Sequence, residues 1–389
     1  MARSSWHSSA ETKPRRRVAL GAFRGRCAPS ATMQAGRRAC PGIGLAGAAL
    51  ALLAGALPAA AYIGGESGAY LRSPVGATAF SLAGAYSAAP THLASWWNPA
   101  MLSTYRSRTA ALGMGVRSLG RMESFGSFSF PIPTRFGMGV SLLYRGDPFI
   151  DEFYDENGEK LDTEGGAYTT LTLKTAVSYL INRRWSAGVG VGVYYQSLPT
   201  AIDLDGGLAT STVTGIGGFT LAVRYEPFER WTVSALMRNV GLSMDWEIES
   251  SDRGYGNVHS SDKPVPELVL GSRFTGSLLD RRFVWSSELV GYMVDGDWER
   301  LPHAEAQWHN GFEWQAWETF AVRLGLGEIM LNSSIYDDEP YWDRFTMRVA
   351  AGFGWDLQWL REGMLLNYSI ATDKSGALFD QVLDVTYTF

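Results

Sequence analysis

The fold is decided by the stretch Leu171-Thr172-Leu173-Lys174-Thr175-Ala176-Val177-Ser178-Tyr179. After Leu180–Arg184 it continues as Trp185-Ser186-Ala187-Gly188-Val189-Gly190-Val191-Gly192-Val193-Tyr194-Tyr195-Gln196. In the first ribbon Leu171, Leu173, Val177 and Tyr179 alternate with Thr172, Lys174, Ala176 and Ser178. In the second, Trp185, Ala187, Val189, Val191, Val193 and Tyr195 alternate with Ser186, Gly188, Gly190, Gly192 and Gln196. Successive side chains of a strand point to opposite faces, so a period of two makes a two-faced ribbon. One face here is apolar with aromatics at its ends, and the other is small or polar.

The same alternation runs outward from this pair. Phe345, Met347, Val349, Ala351, Phe353 and Trp355 alternate with Thr346, Arg348, Ala350, Gly352, Gly354 and Asp356. Segments near 109–118, 122–131, 135–145, 167–180, 184–197, 214–226, 230–240, 266–276, 282–292, 302–315, 318–326, 344–358, 362–372 and 380–389 read as about fourteen strands. A soluble sandwich also alternates, so other features must choose between the two. The strands are long, and aromatics gather at their ends as in the girdles of membrane barrels. The polar face carries Lys174, Arg224, Arg238, Arg273, Arg323 and Arg348, which a dry core could not hold unpaired. Lipid on the apolar side and a lumen on the polar side satisfy both. A β-structure spans lipid only when closed, because an open edge strands its backbone groups in hydrocarbon. The expected fold is therefore an all-β transmembrane antiparallel barrel over 109–389.

The connections sort by length. Ile132–Thr134, Ile181–Arg183, Pro227–Glu229, Ser277–Arg281, Ala316–Trp317 and Trp359–Arg361 are tight, while 146–166, 198–213, 241–265 and 327–343 are long. Short turns on the periplasmic side and long loops outside are the outer-membrane pattern, with both termini in the periplasm. The last strand sets Gln381, Leu383, Val385, Tyr387 and Phe389 on one face. Tyr387 and the terminal Phe389 resemble the C-terminal signal that barrel assembly machinery recognises.

Ahead of the strands lies a targeting segment. Arg37 and Arg38 precede the apolar run Gly42–Leu57, then Pro58-Ala59-Ala60-Ala61, the n-region, h-region and small-residue cleavage pattern of a secretory signal. Residues 1–61 read as the signal peptide, with Met33 as an alternative start. Cys27 and Cys40 both fall within it, so the mature chain is expected to carry no cysteine and no disulfide. No later run reaches the ~18 apolar residues of a spanning helix. The net charge of -5 gives no reason to expect nucleic acid.

Residues 62–108 read as an N-terminal plug rather than as strand. They contain Gly84-Ala85-Tyr86 and Trp97-Asn98-Pro99-Ala100-Met101-Leu102. In these motifs the chain resembles the PorV/PorQ family, a branch of the FadL-like outer-membrane barrels. Pro90, Thr91 and His92 stand where members often carry Asp. The resemblance implies a fourteen-stranded barrel whose lumen is closed by a hatch. It also implies either transport of hydrophobic molecules or, as in PorV, a type IX secretion role with secreted proteins as cargo. From the residues themselves, the small-residue stretch Ala77–Ala89 suits a short helix in a crowded lumen, and Asn98-Pro99 suits a turn. Trp96 and Trp97 either wedge the plug against the wall or line a hydrophobic-ligand pocket, and packing is the commoner use of large aromatics.

Other candidate sites read more plainly. His303, Glu305, Gln307 and His309 share a strand face, but residues two apart on a strand sit ~7 Å from each other and cannot close a metal shell alone. The lumen charges, with Glu226, Glu288, Asp356 and Asp384, suit pairing with each other and the plug more than an ion path. The acidic stretch Asp151–Glu164 suits a solvated loop. No nucleophile constellation, Walker loop or dinucleotide fingerprint is present, so an enzyme is not expected, nor a cofactor or metal. Three roles remain: a transporter of hydrophobic small molecules, a surface-attachment partner for secreted proteins, or a structural envelope barrel. A bulge or inward kink in one strand would favour the first. An apolar patch on the external loops, such as Tyr336 and Tyr341–Trp342, would favour the second.

Overall fold

The computed structural model describes residues 68–147, 153–154, 160–161, 168–202, 208–250, 258–294, 303–332, 347–372 and 378–389. The expected signal over 1–61, its cysteines, Met33, residues 62–67 and the external Tyr336 and Tyr341–Trp342 lie outside the described residues.

The strands are β1 (Thr109–Val116), β2 (Met122–Ile132), β3 (Phe136–Asp147), β4 (Phe153–Tyr154), β5 (Lys160–Leu161), β6 (Tyr168–Leu180) and β7 (Trp185–Ile202). They continue as β8 (Leu208–Phe228), β9 (Trp231–Val240), β10 (Ser243–Ser250), β11 (Val258–Asp262), β12 (Glu267–Leu278), β13 (Arg281–Val294) and β14 (His303–Trp317). The last are β15 (Phe320–Asn332), β16 (Arg348–Asp356), β17 (Met364–Thr372) and β18 (Phe379–Thr388). Leaving out the β4–β5 hairpin and the β10–β11 pair, 14 strands form one antiparallel barrel. The ring shuts where β1 pairs with β18, Thr109 opposite Thr388 and Val116 opposite Gln381. All fourteen segments read from the alternation are strands.

The two faces meet different surroundings. Leu112, Met114, Val189, Val191, Val193, Leu268 and Leu270 point outward and are exposed, whereas Ser186, Lys174, Ser234, Glu288 and Asp384 point inward and are buried. Aromatic pairs ring the end with the tight turns: Trp185 stacks on Tyr225 with centroids 4.3 Å apart, and Phe136 meets Tyr179 at 4.8 Å. An apolar belt with an aromatic rim and a polar interior is the surface of a barrel that spans a membrane.

In the segments expected as long external loops, 198–213 and 241–265, the described residues are largely strand. β8 pairs with β7 along most of its length, with β9 over its second half (Phe219 opposite Val240), and with β10 over its first half (Ile216 opposite Ser243). Between the two halves Gly217 and Gly218 have φ of 114° and 61°, and on the neighbouring strand Asn239 and Gly241, which flank Val240, have φ of 59° and 67°. These left-handed positions make a bulge that resets the alternation, so Ile216 and Phe219 both face outward. The expected strand over 214–226 runs straight across this bulge and 241–265 reads as a loop, so β10 and β11 are additions to the expected strands.

Residues 68–108 pack against the inside of the wall. A 3-10 turn (Ala69–Arg72) leads to α1 (Ala77–Ser81), then to α2 (Ala94–Trp97) and a second 3-10 helix (Pro99–Thr104). The helix expected over Ala77–Ala89 stops at Ser81, because Ala83 (φ 50°) and Gly84 (φ 91°) turn the chain into left-handed conformations. Small residues let the backbones approach. A methyl group on Gly325 of β15 would sit 2.5 Å from the Leu82 carbonyl carbon and 2.6 Å from the Ala83 nitrogen. On Gly188 of β7 it would sit 2.5 Å from the Ala100 nitrogen. The glycines of the lumen face are therefore the bed on which this segment lies.

Candidate functional site

Hydrogen bonds tie the plug to the wall all round the barrel. Asp384 of β18 accepts the Ala77 N–H at 2.7 Å, and Glu288 of β13 accepts the N–H groups of Ser87 at 2.7 Å and Tyr86 at 3.1 Å. Ser186 of β7 donates to the Ala100 carbonyl at 2.8 Å, and Ser127 of β2 donates to that of His92 at 3.0 Å. Backbone groups that would otherwise be buried and unpaired thus find partners on strands.

Trp96 and Trp97 are both buried. The Trp97 indole N–H donates to the Val75 carbonyl at 3.0 Å, its ring meets Tyr86 edge-on at 6.0 Å, and the Arg238 guanidinium lies 5.3 Å above it. The Lys174 ammonium sits 4.3 Å over the Trp96 ring. Trp97 borders a polar cavity of about 60 Å³, room for one or two waters rather than a hydrophobic ligand. Asn98 holds the turn between the helices: its carbonyl oxygen accepts the Ala100 N–H at 3.0 Å and its amide donates to the Ser87 carbonyl at 2.7 Å. Pro99 opens the following 3-10 helix, where its missing N–H costs nothing.

The six lumen charges all face inward, most of them with partners. Arg323 pairs with Glu313 at 2.6 Å and donates to Asn367 at 2.9 Å. Arg348 pairs with Glu328 at 3.1 Å, Arg238 with Glu267 at 3.6 Å, and Arg224 with Glu226. Three further members of this layer carry no sequence expectation: Glu123 accepts from both Arg117 and Arg145 at 2.6 Å. Arg117 also donates to the Pro74 carbonyl at 2.8 Å and stacks 4.3 Å over Phe80 of α1. Period-two reading places such charges on a face but not across strands, so it could not pair them.

Beneath the plug, toward the tight turns, is a cavity of about 430 Å³ whose lining includes Tyr86, His92, Tyr105, Arg273, Glu313 and Arg323. Arg273 faces it half-buried. Tyr105 donates to the Thr91 carbonyl. His92, which stands at a position where the sequence departs from its family resemblance, rests its Nδ1 3.2 Å from the Thr386 hydroxyl while Nε2 has no partner. Burial pushes the His92 imidazole below its ordinary value, and the nearby Asp384 offsets this in part.

Of the residues considered for a metal, Gln307 and His309 face the lumen, and His309 Nδ1 lies 2.8 Å from the Ala83 carbonyl. The side chains of His303 and Glu305 lie outside the described residues. Among the described residues no three His, Cys, Asp or Glu converge on a metal position. At the C-terminus the Phe389 ring is exposed and lies edge-on to Tyr387 at 4.6 Å, and Arg361 donates to the Tyr387 hydroxyl at 2.8 Å.

No protein-family model matches the chain, and no curated protein matches its sequence. Solved structures match it by shape. The toluene transporter TodX of Pseudomonas putida superposes with a TM-score of 0.53 at 13% identity, over 81% of this chain and 98% of that one. The toluene transporter TbuX of Ralstonia pickettii gives 0.52 at 13% identity, over 82% and 99%. A FadL homologue of Pseudomonas aeruginosa gives 0.52 at 13% identity, over 81% and 98%. Identity this low establishes a shared fold.

Proposed function

We propose that this chain is an outer-membrane transporter that admits hydrophobic small molecules, as the toluene transporters of the same fold are described. The observation that carries the proposal is the bulge at Gly217–Gly218 in β8. A hydrophobic solute gains nothing from a lumen floored by ion pairs such as Arg323–Glu313, because displacing water from paired charges costs more than its own burial returns. Leaving sideways, into hydrocarbon, avoids that cost, and a wall can open sideways where its ladder is already interrupted. The bulge lies at the level of the apolar belt, between the outward-facing Ile216 and Phe219. Tyr194 stands beside it on the lumen side, its buried hydroxyl without a partner.

The PorV-type reading, with secreted protein as cargo, draws on residues 73–102. In that stretch Trp97-Asn98-Pro99 serves the folding of the plug through the Val75, Ser87 and Ala100 contacts. Such a motif speaks for a common hatch and leaves cargo open, so transport is the preferred reading.

The test is uptake of radiolabelled toluene and of a labelled long-chain fatty acid by cells with the gene, without it, and with Gly218 deleted to straighten β8. Uptake that falls in both altered strains supports lateral transport. Equal uptake with and without the gene rules it out.

A further inference from the structure

The end of the barrel that carries the tight turns bears a second, larger concavity that the transport reading does not use. It has a volume of about 1070 Å³ and is lined by the plug's exit, Ser103–Arg106, the β2–β3 turn, the β6–β7 turn and the end of β8. That is above the ~300–1,000 Å³ usual for small-ligand pockets. Five arginines converge on it from these segments, Arg106, Arg135, Arg183, Arg184 and Arg224, against Glu226 and Glu229. This is a local excess of three positive charges on a chain whose net charge is -5.

Arg224 is paired with Glu226. Arg135 donates to the Ile181 carbonyl at 3.2 Å without an ion pair. Among the described residues Arg106, Arg183 and Arg184 have no carboxylate within ion-pair distance and are exposed. Guanidiniums held side by side without counter-charges repel one another and favour any polyanion that bridges them.

We propose that this groove docks an acidic peptide segment of a periplasmic protein. Its floor is made by the plug and by Arg224, which faces the lumen, while its outer rim carries the exposed Phe136 and Phe228. The arginines line the plug's exit and the turns, away from that rim, and this favours a peptide over a lipid head group, which the test below separates. Its length along three turns fits an extended chain with several carboxylates, each reaching a fork of guanidinium donors. The groove also shares Thr104, Tyr105 and Arg106 with the cavity beneath the plug. A partner seated there would cover that cavity's exit. The inference needs only that this end faces the periplasm, and it stands apart from whether hydrophobic molecules cross.

The full mature chain, purified from membranes in detergent, is titrated with a fluorescein-labelled octaglutamate peptide by anisotropy. Saturable binding is expected, lost on raising salt and weakened roughly tenfold or more in Arg183→Glu/Arg184→Glu. The control Arg281→Glu/Arg282→Glu reverses two exposed charges at the start of β13, outside the groove, and should bind as the parent does. Heat-modifiable gel migration verifies that each variant is a folded barrel. No binding by the parent, or equal loss in both variants, overturns the proposal. So does spin-labelled phosphatidylglycerol that is immobilised by the parent and released in Arg183→Glu/Arg184→Glu, because the groove would then be a lipid site.

Discussion

The Asp384 carboxylate of β18 accepts the Ala77 N–H at 2.7 Å while its other oxygen accepts the Asn367 amide at 2.7 Å. One wall carboxylate thus fixes the start of α1 and is itself held in place by the neighbouring strand. Asp384→Ala removes this latch and leaves a buried N–H unpaired, a loss of about 1–3 kcal/mol from plug docking. The readout is maleimide labelling of an Ala88→Cys reporter, a buried plug position. Labelling should be several-fold faster in the Asp384→Ala background, and an unchanged rate would show that the latch carries no weight.

Gly325 and Gly126 provide a matched pair. A methyl group on Gly325 meets plug backbone at 2.5 Å, whereas on Gly126 its nearest neighbour is the flexible Leu112 side-chain tip at 3.2 Å. Backbone cannot yield as a side chain can, so Gly325→Ala should destabilise by about 1–3 kcal/mol and Gly126→Ala by much less. Urea unfolding followed by tryptophan fluorescence measures both, and equal midpoints would mean that the plug is not seated against β15.

How much of this was legible in the sequence follows from the range of each signal. Faces are local: Val189, Val191 and Val193 outward and Ser186, Gly190 and Gly192 inward are visible in one strand, and all fourteen wall strands were found this way. β10 and β11 are not legible, because 241–265 reads as a long connection, and the alternation over 214–226 runs straight across Gly217 and Gly218 without showing the bulge there. The plug is legible as a non-strand segment, but the end of its helix at Ser81 is not, since nothing in the composition of Ala77–Ala89 marks Ala83 as left-handed. The lumen arginines were named from their face. Their partners, and the cavity residues His92, Tyr105 and Glu313, depend on which strands and plug turns meet across the lumen, and no single segment carries that information.

Glu123 shows how that lateral pairing sets stability. It is buried and accepts from Arg117 and Arg145, whose other donors hold the Pro74 and Tyr70 carbonyls of the plug. Glu123→Gln leaves two buried guanidiniums facing a neutral amide, a cost of about 3–5 kcal/mol. The variant should unfold at lower urea, and its plug reporter at Ala88→Cys should label faster. Replacing Arg145 as well, in Glu123→Gln/Arg145→Gln, should recover part of the loss, because the mutual repulsion is gone. A double variant no more stable than Glu123→Gln would count against the paired arrangement.

His92 makes docking depend on pH in a definite direction. Its value is lowered by burial, with Asp384 opposing and Arg323 reinforcing the shift. The docked plug therefore binds fewer protons than the released plug below the free-imidazole value of 6.5, and stability rises with pH wherever the released state binds more. The contribution is complete above that value and is lost as the pH falls through the range beneath it. Labelling of the Ala88→Cys reporter should accelerate between pH 7 and pH 5 after correction for the intrinsic thiol rate. In His92→Gln, which keeps a polar group beside Thr386 but cannot take up a proton, the acceleration should be reduced. Any loosening of the plug that does not run through the imidazole should survive in His92→Gln. An equal acceleration in the parent and in His92→Gln would show that His92 does not set the pH response.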